Sequence, residues 1–117
     1  MSESTIIYHN PRCSKSRAAM ELLTEKGIEV EVVKYLDTPP DKETLEKILD
    51  MLNMEPRDLM RKGESEYKDN NLADANLSKN ELIDAMLKFP RLIERPIVIK
   101  NGKAAIGRPL ENIINIL

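Results

Sequence analysis

The stretch "STIIYHNPRCSKSRAAMELLTEKGIEVEVVKYL" (residues 4–36) decides the fold. Its period changes twice. "STIIYH" (4–9) is a short run of β-branched and aromatic residues that ends in turn formers, which predicts a buried strand. After "NPRC", the pairs Ala18/Leu22 and Ala19/Leu23 recur at i,i+4 spacing, and Gly27 follows Lys26 as a C′ residue. That pattern predicts a helix over about 14–26. "EVEVVKYL" (29–36) alternates Val30 and Val32 with charge and predicts a second strand. Strand, helix and strand in this order form a right-handed βαβ unit with parallel strands.

Working outward, "TPPDKETLEKILDMLN" is helical, with Thr38 and Asp41 fitting a capping box and Leu45, Ile48, Leu49 and Leu52 forming one apolar stripe. Residues 56–76 are polar and weakly periodic, so short helical turns and loop are expected there. "SKNELIDAMLKFP" is a further helix, with Ser78 and Glu81 as a second capping box and Pro90 closing it. "PIVIKNGKAAIG" has the pattern of a hairpin turning at Asn101-Gly102, and Pro109 is the expected start of a last helix carrying Leu110, Ile113, Ile114 and Leu117. The summed order is βαβ, a helical block, then ββα. The fold class is therefore α/β and thioredoxin-like: a four-stranded mixed sheet under helices, with a helical insertion over about residues 38–90.

Composition narrows the functional classes. A chain of 117 residues is read as one domain. Its apolar fraction of 41% and charged fraction of 32% are those of an ordinary soluble protein. The net charge of −2 provides no bulk attraction to nucleic acid or to an anionic membrane. No apolar run approaches a membrane span, and "MSESTIIYHN" lacks a signal-peptide pattern. One cysteine cannot close an internal disulfide, so a cytoplasmic setting is expected. One cysteine and one histidine do not supply the four ligands of a structural zinc site, and no metal is expected.

The chemistry centres on "YHNPRCSKSR" (8–17), which holds that cysteine, that histidine, the cations Arg12, Lys15 and Arg17, and no acid. Cys13 falls at the turn from the first strand into the first helix. Unpaired N–H groups and the positive end of the helix dipole favour a thiolate there. A lone cysteine is otherwise an inert core residue; the strand-to-helix position and the local charge favour the reactive reading. Three residues on stands Ser16, so the motif is C-x-x-S, and any adduct on Cys13 requires an external thiol to resolve it. Ser16 is read either as a hydrogen-bond donor to the thiolate or as a plain first-turn residue. A phosphatase-type loop needs arginine six residues after the cysteine, where Ala19 stands, and there is no Walker A or G-x-G-x-x-G motif.

"YHNPRCSKSR" resembles the active-site segment of the glutaredoxin-dependent arsenate reductase family. "LMRKGESEY" (59–67) resembles that family's R-x-x-E-x-x-Y segment, "FPRLIERPIVI" (89–99) its L-I-E-R-P-I strand, and "IGRPLENI" (106–113) its G-R-P segment. Four motifs in register cover nearly the whole chain. The resemblance implies that Cys13 is the nucleophile and that Arg61, Arg95 and Arg108 bind the oxyanion, for which a planar guanidinium fork is suited. It implies that Pro96 is a cis-proline facing the active-site turn. It matches His9 to a family histidine that either tunes the loop and thiol or serves the turn. Where better-known members carry Gly-Thr after the cysteine, this chain has Ser14-Lys15.

The activity so implied is reduction of arsenate to arsenite through a thioarsenate on Cys13, with glutathione as co-substrate, glutaredoxin as partner and no bound cofactor. Two alternatives stand beside it. One is a glutathione-dependent thiol transferase; the other is a non-enzymatic regulator that binds RNA polymerase.

Overall fold

In a computed structural model, which describes residues 5–117, β1 (Thr5–Tyr8) leads into α1 (Ser14–Glu25) and returns as β2 (Val30–Val33). Ser4, the first residue of the expected strand, lies outside the described residues. Four helices follow: α2 (Lys42–Leu52), α3 (Pro56–Leu59), α4 (Ser65–Asp69) and α5 (Lys79–Lys88). A 3₁₀ turn (Pro90–Leu92), the hairpin strands β3 (Ile97–Lys100) and β4 (Lys103–Ile106), and α6 (Glu111–Ile114) complete the chain.

The described residues fall into two compact units. The first runs to Thr38 and resumes at Arg95–Leu117; the second is Pro39–Glu94. The first unit holds the four-stranded sheet in the order β2-β1-β3-β4. β1 pairs parallel with β2, with Thr5 opposite Val30, and antiparallel with β3, with Ile7 opposite Val98. β3 pairs antiparallel with β4. This is the mixed sheet expected from the βαβ and ββα halves.

Period-2 and period-3.6 patterns meet in one core. Ile7, Val98 and Ala105 from the sheet pack with Ala19 and Leu23 of α1 and Ile113 of α6. Leu23 is fully buried, so its truncation to alanine would cost about 2–5 kcal/mol. α1 stops in a Schellman motif: Gly27 N–H donates to Thr24 O, Ile28 N–H donates to Leu23 O, and Gly27 takes φ +68. The hairpin turns at Asn101 and Gly102, whose φ values are 53 and 75, the positive pair that a type I′ turn requires.

The second unit buries Leu45, Ile48 and Leu49 of α2, Leu59 of α3, Ile83 and Met86 of α5, and Leu92. Both capping-box bonds of α5 are present: Glu81 N–H donates to Ser78 Oγ at 3.1 Å, and Ser78 N–H donates to Glu81 Oε1 at 3.2 Å. α2 starts later than the sequence pattern implies. Its N-cap is Asp41, whose carboxylate accepts from Thr44 N–H at 2.8 Å. Thr38 and Pro39 each precede a proline, which disfavours helical backbone at both. The second strand is also shorter than 29–36, because β1 offers four residues to pair with and the chain then turns, Asp37 N–H and Thr38 N–H donating to Lys34 O. Pro109 does not start the last helix. The Arg108–Pro109 bond is cis, and α6 begins at Glu111.

Candidate active site

β1 delivers the chain to the open end of the sheet, where His9 N–H still donates to Val33 O at 2.9 Å. The next residues make a compact turn. Asn10 Oδ1 accepts from Arg12 N–H at 3.0 Å, and Cys13 N–H donates to Asn10 O at 3.0 Å. Cys13 is then the N-cap residue of α1, with Arg17 N–H donating to its carbonyl. Its thiol is free and its side chain is buried to 8% exposure.

Burial raises the thiol pKa and is the largest single influence on it. The backbone N–H groups of Ser16 and Lys15, then the charges of Arg95 and Arg108, act the other way and prevail, so Cys13 lies below the ordinary thiol value. The sulfur makes no complete capping hydrogen bond to the first turn; the two N–H groups favour its charged form as dipoles. Arg108 approaches it directly, Nη2 donating to Sγ at 3.6 Å, while Arg108 Nε donates to Arg95 O at 2.9 Å. The cations that act on the thiol therefore come from the far end of the chain. Arg17, close in sequence, instead donates from Nη1 to Pro11 O at 2.9 Å.

The structure places the two arginine positions by close packing. The Arg95–Pro96 bond is cis, as the resemblance implied. Gly107 N–H donates to Pro96 O at 2.9 Å. A Cβ at Gly107 would lie 2.8 Å from Pro96 Cγ and 2.7 Å from Ile113 Cδ1. Only glycine admits that approach, and the next residue is Arg108.

Ser16 is fully buried, and its hydroxyl is not directed as the donor reading expected. Oγ lies 2.9 Å from His9 Nδ1 and accepts from Asn10 N–H at 3.0 Å. What Ser16 offers the thiol is its backbone N–H. His9 is buried beside it. Burial first, then the charges of Lys34 and Arg17, hold its pKa below the ordinary histidine value, so the imidazole is neutral at neutral pH. His9 and Ser16 thus lock the turn that presents Cys13.

Arg61 belongs to the second unit. It lines an open cleft of ≈430 Å³ together with Arg57, Lys62, Glu64 and Glu94. Nη1 meets Glu64 Oε2 at 3.3 Å, and Nε meets Glu94 Oε1 at 3.6 Å. Glu64 Oε1 is also 2.9 Å from Arg91 Nη2. Glu94 and Arg91 were not singled out in the sequence, because their partners are about 30 residues away and no local spacing marks them. Among the described residues no group of three His, Cys, Asp or Glu side chains is arranged to hold a metal.

A mixed four-stranded sheet that presents one thiol at the first strand-to-helix turn, with the guanidinium of Arg108 reaching its sulfur, defines a thioredoxin-like protein with a single-thiol site. The chain belongs to the ArsC family, whose profile matches residues 8–116. It is 54% identical over 112 residues to an arsenate reductase of Neisseria meningitidis, covering 95% of this chain and 96% of that one. It is 54% identical over 118 residues to the Escherichia coli (strain K12) protein called "Uncharacterized protein YfgD", covering 100% of this chain and 99% of the other. In structure it matches an arsenate reductase from Vibrio cholerae at TM-score 0.96 and 47% identity, over all of both chains. No described helix is long and apolar enough to cross a membrane.

Proposed function

We propose that this protein reduces arsenate to arsenite. The observation that carries the reading is the contact of Arg108 Nη2 with Cys13 Sγ at 3.6 Å, at a thiol whose pKa is lowered. The same guanidinium that favours the thiolate is a ligand for an incoming oxyanion. The identities to proteins named arsenate reductase support arsenate as that oxyanion.

In this reading the Cys13 thiolate attacks arsenic, a sulfur–arsenic bond forms, and one arsenate oxygen departs as water after taking up protons. Arg95 and Arg108 offset the charge that develops, with Arg61 as the third oxyanion ligand. Arsenic in this adduct is still pentavalent. Two electrons must come from two thiols, which leave joined as a disulfide, so that arsenate plus two thiols yields arsenite, one disulfide and water. Cys13 is the one cysteine among 117 residues, and Ser16 occupies the place of a resolving thiol. We assign the reductant to glutathione, with glutaredoxin reducing the mixed disulfide and no bound cofactor.

The electron source is tested by leaving out one component at a time from an assay holding arsenate, glutathione, glutaredoxin, glutathione reductase and NADPH. The reading expects NADPH loss to need both glutathione and glutaredoxin. Full turnover with thioredoxin and thioredoxin reductase in their place would contradict it.

A further inference from the structure

The R-x-x-E segment leaves a residue that the proposed reaction does not use. Glu64 is largely buried, with 17% of its side chain exposed, and it is held between two arginines. A guanidinium grips an oxyanion bidentately through one of two edges, Nε with Nη2 or Nη1 with Nη2. In Arg61 each edge already has one nitrogen engaged: Nε by Glu94 at 3.6 Å and Nη1 by Glu64 at 3.3 Å. Nη2 makes no hydrogen bond or ion pair to another described residue. A two-point grip by Arg61 therefore requires one carboxylate to yield.

Glu64 has a second cation in place. Its Oε1 lies closer to Arg91 Nη2, at 2.9 Å, than its Oε2 lies to Arg61. Arg91 Nη1 reaches Glu66 at 3.6 Å, so that cation is itself anchored. Stripping Arg61 from a largely buried carboxylate with no other partner would be costly. With Arg91 present, Glu64 keeps a charge-assisted partner after Arg61 has turned to the oxyanion.

We propose that Glu64 is a resident counter-ion of Arg61 that the oxyanion displaces, and that Arg91 lowers the cost of the displacement. The inference rests on the proposed function, in which Arg61 binds arsenate. Arg91 is then a positioning residue acting through Glu64, and its place outside the reaction makes the test specific.

The experiment measures KM for arsenate and kcat in the glutaredoxin-coupled assay. The parent, Arg91→Gln, Arg91→Lys and Glu64→Gln are compared, and the Arg91 and Glu64 changes are repeated on an Arg61→Ala background. Arg91 is 61% exposed, and an exposed pair limits the effect to at most about fivefold. Arg91→Gln is expected to raise KM by about two- to fivefold with kcat near the parent's, and Arg91→Lys to recover most of the change. Glu64→Gln is expected to lower KM. Neither change should alter KM once Arg61 is alanine. A rise in KM for Glu64→Gln, or an Arg91→Gln effect that persists without Arg61, overturns the inference while leaving arsenate reduction standing. An Arg61→Ala enzyme identical to the parent overturns the inference and the part given to Arg61, with arsenate reduction at Cys13 still standing; no arsenate-dependent turnover by the parent overturns the proposed function and the inference with it.

Discussion

Arg108 follows Cys13 by 95 positions in the chain, and its Nη2 is 3.6 Å from the Cys13 sulfur. The contact is assembled by the sheet: β1 ends in the turn to Cys13, β3 pairs with β1, and β4 pairs with β3 and runs into Gly107-Arg108. The thiol and its cation thus follow β1 and β4, which β3 joins between them, and each can be probed separately.

Arg108→Ala removes one of the charges that lower the Cys13 pKa. The thiol pKa is expected to rise. Alkylation by iodoacetamide near neutral pH should slow by about two- to fivefold, the range set by one exposed charge. The pH profile of alkylation checks this. An unchanged profile would mean that Arg108 does not act on the thiol and that the first-turn N–H groups and Arg95 set it.

His9 controls a pH dependence of stability. Its folded pKa is lowered, so on acidification the unfolded chain takes up the proton first. Stability due to His9 is therefore full above the ordinary histidine value, falls as pH drops through it, and levels off below the folded value. The variant His9→Asn keeps a nitrogen near the Nδ1 position and does not titrate. The gap in Tm between parent and variant should narrow as the pH is lowered from neutral to mildly acidic.

Ser16→Ala removes the oxygen that serves both His9 Nδ1 and Asn10 N–H in a buried site. Leaving those groups without it costs about 1–3 kcal/mol, read as a lower midpoint in urea. The backbone N–H of residue 16 stays in place, so the Cys13 pKa should shift less than in Arg108→Ala. A larger shift would show that the hydroxyl acts on the sulfur directly.

Gly107→Ala puts a methyl group 2.8 Å from the Pro96 ring and 2.7 Å from Ile113 Cδ1. The isoleucine can turn away; the ring cannot. A loss of about 1–3 kcal/mol in unfolding free energy is expected. Slower thiol alkylation should accompany it, because Arg108 moves with residue 107.

The two predicted halves were legible because their signals are local. The change of period at Cys13, the Ser78/Glu81 box and the Asn101-Gly102 turn each sit within a few residues of what they specify. The start of α2 was misplaced at Thr38 because the cap is chosen by backbone that Pro39 and Pro40 exclude from the helix, which leaves Asp41 to cap. The role of the Ser16 hydroxyl stayed open in the sequence because its direction is decided by a buried histidine seven residues earlier, not by the thiol three residues before. The cations of "YHNPRCSKSR" suggested a local source of positive charge. The charges that act on Cys13 come instead from Arg95 and Arg108, through strand pairing that no spacing in the sequence displays.

The central claim is that the Cys13 thiolate is the nucleophile toward arsenate. The most direct measurement compares arsenate-dependent NADPH loss by the parent and by Cys13→Ser in the complete glutathione and glutaredoxin assay. The account predicts turnover that rises with arsenate for the parent and none above background for Cys13→Ser. Equal rates in the two proteins, or a parent rate indifferent to arsenate, would contradict it.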